Sequence, residues 1–194
     1  MESLELNKPH LLVVVGLPGA GKTFFAKQFG ETFGAPYVDY VYYHGLTDSV
    51  ELGDTVATEL LGQLFLTRRT IVVEGRGETK EDRAILLKLG LAKGYEVLFV
   101  WVQTEPQTVL KRAVLAKGAP YSRSEFDSRS QMFAQLDRNE PQVVISGKHT
   151  YASQARMVLK RIANPPKSKD SKSTSMRDIN RPTILKRSGR IIIS

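Results

Sequence analysis

Residues 11–33 read LLVVVGLPGAGKTFFAKQFGETF, and this stretch decides the fold. Leu11–Val15 is an unbroken apolar run, as expected of a strand buried on both faces. It feeds directly into Gly16-Leu17-Pro18-Gly19-Ala20-Gly21-Lys22-Thr23, a glycine, four residues, then Gly-Lys-Thr. Glycines reach backbone conformations closed to other residues, so successive N–H groups can turn inward onto phosphate oxygens. A helix is predicted from Lys22 to Phe33, with Phe24, Phe25, Phe29 and Phe33 on overlapping faces. Its N-terminal partial positive charge adds to the pull on an anion. In such a pattern Lys22 reaches the outer phosphates of a nucleotide and the Thr23 hydroxyl ligates Mg²⁺.

Outward from this stretch the strand–helix rhythm repeats as far as Ile162. Pro36–Tyr40 reads as a second strand that Val41–Tyr43 could extend, and Val50–Thr67 as a helix. Ile71–Val73 is a third strand, and Thr79 with Asp82 opens the next helix. Glu96–Gln103 is strand-like. Thr104 with Gln107 suggests a capping box before a helix that runs to Val114 or Leu115. Ser124 with Asp127 suggests the start of another helix, through Met132 and Leu136. Val143–Ser146 and Tyr151–Ile162 close the series as strand and helix. Strands separated by helices predict an α/β fold of three layers: a mostly parallel five-stranded sheet with helices on both faces.

Composition narrows the classes. The chain has 194 residues, 41% hydrophobic and 25% charged, ordinary for a globular protein. It has no cysteine, which excludes disulfide scaffolds, zinc-thiolate sites, iron–sulfur clusters and a cysteine nucleophile. A reducing, cytoplasmic setting is expected, with neither a membrane span nor a signal peptide in the polar Met1–His10. The net charge is +8. Eight basic and two acidic residues give the last 30 positions +6, which leaves +2 for residues 1–164. Residues 1–164 are therefore expected to form one domain, and 165–194 a basic, disordered tail. Thr183–Leu185 and Ile191–Ile193 are apolar patches in that tail. Its Lys and Arg offer salt-dependent attraction to nucleic acid; a solvated linker is the plainer reading.

On the 16–23 loop and its surroundings, Leu11–Ile162 resembles the small P-loop kinases of the polynucleotide kinase, zeta toxin and shikimate kinase type, AAA-like ATP-binding domains. The resemblance implies a P-loop NTPase fold, ATP and Mg²⁺, and an acceptor hydroxyl belonging to a small molecule or nucleotide. Asp39 stands where these kinases carry the acid that accepts or orients the acceptor's proton. Glu74 ends the third strand at the Walker B position, where a carboxylate holds Mg²⁺ or its waters; the family more often has Asp there. Arg112 falls on the segment matching the lid helix, whose arginines neutralise the phosphoryl group in transfer. Ala116 stands where a second lid arginine is common, and Arg123 substitutes for it in this reading, ahead of Arg129. Arg83 contacts substrate or pairs with Glu74 or Glu81. Polynucleotide kinases show an arginine where this chain has Tyr42, which argues against a nucleic-acid end as acceptor.

Two readings are set aside. Thr79-Lys80-Glu81-Asp82 mimics a guanine-reading motif but follows the third strand too closely, which leaves ATP as the nucleotide. His10, His44 and His149 have no metal-ligand spacing. His44, near Asp39, is a candidate for lining the acceptor pocket, and Tyr37, Tyr40, Tyr42 and Tyr43 either stack an acceptor ring or pack in the core. The leading expectation is an ATP-dependent phosphotransferase. The alternative is an ATP-binding or ATP-hydrolysing regulatory module, with or without nucleic-acid association.

Overall fold

Five apolar strands pair side by side in a computed structural model that describes residues 8–165. The strands are β1 (His10–Val15), β2 (Tyr37–Asp39), β3 (Ile71–Glu74), β4 (Glu96–Gln103) and β5 (Gln142–Ser146). They lie in the order β2-β3-β1-β4-β5. All four pairings are parallel. The helices are α1 (Lys22–Phe33), α2 (Tyr40–His44), α3 (Val50–Leu66), α4 (Lys80–Ala92), α5 (Pro106–Leu110), α6 (Arg123–Met132) and α7 (Tyr151–Ala163).

Strand alternation sends side chains to two cores. Leu11, Val13 and Val15 join Ala57, Leu61, Phe65 and Leu86, from α3 and α4, on one face. Leu12 and Val14 join Phe25, Phe29, Val158 and Ile162, from α1 and α7, on the other. Every residue of β1 is buried, so this is a three-layer α/β sandwich as the periodicity implied. Burying each of Phe25 and Phe29 contributes about 1.5–3 kcal/mol. Phe24 departs from the expectation: it is 58% exposed, because consecutive positions on a helix cannot share one buried stripe.

Several boundaries differ from the sequence reading. β2 stops at Asp39 because the Asp39 carboxylate accepts from Val41 N and Tyr42 N and so caps α2. Residues 40–44 are helix, not an extension of the strand. Thr104 does not cap α5; its hydroxyl donates to Ala20 O at 2.9 Å. After α5 the chain widens into a π-helical turn, Lys111–Leu115. The capping box of α6 is Ser122 with Glu125, not Ser124 with Asp127, and the helix ends at Met132. Thr79 caps α4 as expected, accepting from Asp82 N.

No helix among the described residues is long and apolar enough to cross a membrane. The expected disordered tail, with its apolar patches and its attraction to nucleic acid, lies outside the described residues, apart from Pro165.

Candidate functional site

The strand order reverses at β1: β3 lies on one side and β4 on the other. Open parallel sheets bind ligands outside the carboxyl ends of strands at such a point. The loop 16–21 leaves β1 there. Gly19 has φ +83°, and a Cβ on it would lie 2.6 Å from Val109 O, so only glycine lets the loop settle against α5. A Cβ on Gly147, just past β5, would fall on Ala20 O and Thr104 Oγ1. The sequence reading passed over Gly147, whose role comes from close approach and not from a motif.

Gly21, in the left-handed region, begins α1 and offers no side-chain cap. The first-turn N–H groups therefore have no side-chain cap, and Gly21, Lys22, Thr23 and Phe24 line a cleft. The Lys22 ammonium donates to Gly16 O at 2.8 Å and Leu17 O at 3.2 Å. Burial pulls its pKa below the ordinary lysine value, and Glu74, Glu78 and Asp39 oppose that pull.

Thr23 Oγ1 donates to Glu74 Oε1 at 2.7 Å. Glu74 Oε2 accepts from the Tyr37 hydroxyl at 2.9 Å, and the same hydroxyl lies 3.3 Å from Asp39 Oδ2. The β2–β3 register sets Asp39 directly opposite Glu74. Glu74 is only 6% exposed, and burial raises its pKa; Thr23, Lys22 and Tyr37 each pull the other way. Tyr37 is pushed far up, first by burial and then by the two carboxylates, so it stays a donor.

Lys22, Thr23, Asp39 and Glu74 line the same cleft, of about 730 Å³. Val41, Gly75 and Glu78 line it too, as do Phe24, Arg112, Gly147, Lys148 and His149. Arg112 donates weakly to Gly147 O at 3.4 Å. Arg123 is not brought in: it is exposed and pairs with Asp127 one helical turn on. Arg129 lines the cleft instead, over the Tyr121 ring at 5.2 Å and 3.7 Å from Glu78 Oε1. Of the expected residues, Pro18, Gly19, Gly21, Lys22, Thr23, Asp39, Glu74 and Arg112 line this cleft, whereas Leu17 and Ala20 line a different pocket.

Two other expectations change. Arg83 touches neither Glu74 nor Glu81; it is wholly buried and pairs with Glu140 at 2.6 Å. His44 is absent from the cleft lining and pairs with Asp54 of α3 at 2.7 Å. Tyr40 is core, while Tyr42 is 60% exposed.

The residues present fit a magnesium nucleotide. Among the described residues no group of three His, Asp or Glu is arranged to hold a metal by itself. A hydroxyl and a carboxylate in contact beside a phosphate cradle are what Mg²⁺ requires, since it keeps waters and shares phosphate oxygens.

This is the P-loop kinase-like fold. Solved structures with the same fold include a sugar kinase from Janibacter sp., 16% identical, covering 82% of this chain and 96% of that one with a TM-score of 0.60. A gluconokinase from Sinorhizobium meliloti is 16% identical over 80% of this chain and 92% of its own, with a TM-score of 0.58. Kti12 from Chaetomium thermophilum, in complex with ADP-AlF3, is 17% identical over 77% and 96%, with a TM-score of 0.57. No protein-family model and no curated protein sequence matches the chain.

Proposed function

We propose that the chain is a phosphotransferase that moves the terminal phosphoryl group of ATP to a hydroxyl of an acceptor seated beside Asp39. The observation that carries this reading is the Thr23–Glu74 hydrogen bond beside the glycine loop, with Asp39 level with Glu74 on the next strand. Two of the similar solved structures are kinases by description, which supports it.

The loop amides and Lys22 hold the nucleotide's phosphates. Thr23 and Glu74 would hold Mg²⁺, which would supply charge neutralisation to the nucleotide's phosphates. The acceptor oxygen bonds to the terminal phosphorus as the bond from that phosphorus to the ADP oxygen breaks. The acceptor's proton passes to the Asp39 carboxylate, whose Oδ1 is already fixed by Val41 N and Tyr42 N. Arg112 and Arg129 offset charge on the moving group, with Arg129 in the part first assigned to Arg123. The transition state needs positioning and charge more than covalent help.

The test is transfer from labelled ATP across sugars, polyols, nucleosides and nucleic-acid ends. Lys22→Ala is expected to abolish turnover, and Asp39→Asn to keep ATP binding while losing transfer. Full transfer by Asp39→Asn would remove Asp39 as the base. The alternative, an ATP-binding or ATP-hydrolysing regulatory module, is supported by Arg123 standing outside the cleft and Arg129 lying close to Glu78. Tight binding of magnesium ATP with no transfer to any acceptor in the panel would favour it.

A further inference from the structure

Tyr37 and Asp39 lie two positions apart on β2, so their side chains leave the same face of the strand. The register places β3 beside them with Glu74 opposite Asp39. The Tyr37 hydroxyl is thus brought between two carboxylates, 2.9 Å from Glu74 Oε2 and 3.3 Å from Asp39 Oδ2. Its single proton lies within reach of both, with Glu74 the nearer acceptor. The other Glu74 oxygen accepts from Thr23 at 2.7 Å, and the other Asp39 oxygen accepts from Val41 N at 3.0 Å. An unbroken line of hydrogen bonds therefore runs from the first turn of α1 to the first turn of α2.

We propose that Tyr37 is a positioning residue whose hydroxyl ties the metal-side carboxylate Glu74 to the acceptor-side carboxylate Asp39, so that both halves of the site are set as one unit. This rests on the phosphotransferase reading. The ring of Tyr37 also packs against the core formed by α1 and α7. Packing alone would be served equally by phenylalanine, which separates the two roles.

The experiment uses the full chain and its Tyr37→Phe variant. It reads the melting shift given by ADP as Mg²⁺ is titrated, and ATP turnover at saturating Mg²⁺ with water or an identified acceptor. Tyr37→Phe is expected to stay folded but to melt a few degrees below wild type without ligand, because Glu74 Oε2 loses its donor. Its half-effective Mg²⁺ concentration rises about fivefold, and its kcat falls about tenfold while KM for ATP stays within about twofold. A merely structural role would not split kcat from KM in this way.

Asp39→Asn gives a second measurement that does not depend on a Tyr37 variant. Although Asp39 does not touch Thr23, the tie predicts that Asp39→Asn shifts the half-effective Mg²⁺ concentration about threefold. A well-folded Tyr37→Phe with wild-type Mg²⁺ response and kcat overturns the proposal, as does an Asp39→Asn with an unshifted Mg²⁺ response. A wild-type chain with no Mg²⁺-dependent nucleotide shift overturns the phosphotransferase reading itself, a separate result.

Discussion

Replacing Arg83 with methionine keeps the aliphatic stem and removes the guanidinium from a site with no solvent. Arg83 is 0% exposed. Its Nε and Nη2 meet the two oxygens of Glu140 at 2.6 and 3.2 Å, and its Nη1 donates to Ala134 O at 2.9 Å and Gly77 O at 3.2 Å. Breaking a buried pair by removing one partner costs about 3–5 kcal/mol. Glu140 retains one donor, Asp137 N at 2.7 Å, and its side chain is 18% exposed, which places the cost near the lower end, about 3 kcal/mol. For a domain of this size each kcal/mol moves Tm by about 2–4 °C, so the variant should melt about 6–12 °C lower. Calorimetry or circular dichroism reads the shift. Adding Glu140→Gln should recover part of it, since no unpaired charge then remains. Nucleotide affinity should fall as well, because the same guanidinium anchors the Gly77 and Ala134 carbonyls that flank Glu78 and the end of α6. If Arg83→Met melts within about 2 °C of wild type, the reasoning about this pair is wrong.

Other outcomes follow from the loop and from His10. Gly19→Ala puts a side chain at φ +83° against Val109 O, costing about 1–2 kcal/mol of backbone strain besides the clash. Affinity for magnesium ATP, read by calorimetry, should drop at least about tenfold in a chain that still folds; wild-type affinity would contradict the packing of the loop on α5. Burial lowers the pKa of His10 from 6.5, with Glu96 opposing. The fold therefore favours the neutral ring, and its stabilising contribution is complete above pH 6.5 and is lost as the pH falls below that. Urea unfolding at about pH 7.5 and 5.5 should show wild type losing more stability than His10→Gln; equal losses would dismiss His10 as the cause.

Much of the fold was legible because apolar runs report burial directly. Leu11–Val15 and Glu96–Gln103 read as strands and are strands, since both are covered on two faces. The glycine loop was legible because its residue types are demanded by one local conformation. What escaped the sequence depends on partners far along the chain. Arg83 stands 57 positions from Glu140, and no periodicity announces that pairing. The Tyr37–Glu74 contact spans 37 positions and exists only through the β2–β3 register. Asp39 was readable as an acid at a strand end or as the cap of a turn, but the helix α2 that it caps was not, because the tyrosine-rich run after it has the composition of a strand. Arg123 and Arg129 sit on one short helix, and only the helix's docking decides which enters the cleft.

The central position of β1 ties the shape of the glycine loop to completion of the whole domain. Its neighbours arrive late: Leu11 aligns with Ile71 and with Val97. A nascent chain that has not yet delivered β4 to Gln103 has nothing to anchor one flank of β1, and hence no finished 16–21 loop. Such a loop cannot be transplanted as a short peptide. A ligand of this site at about 100 times its Kd should add about 2.7 kcal/mol to the stability of the folded chain.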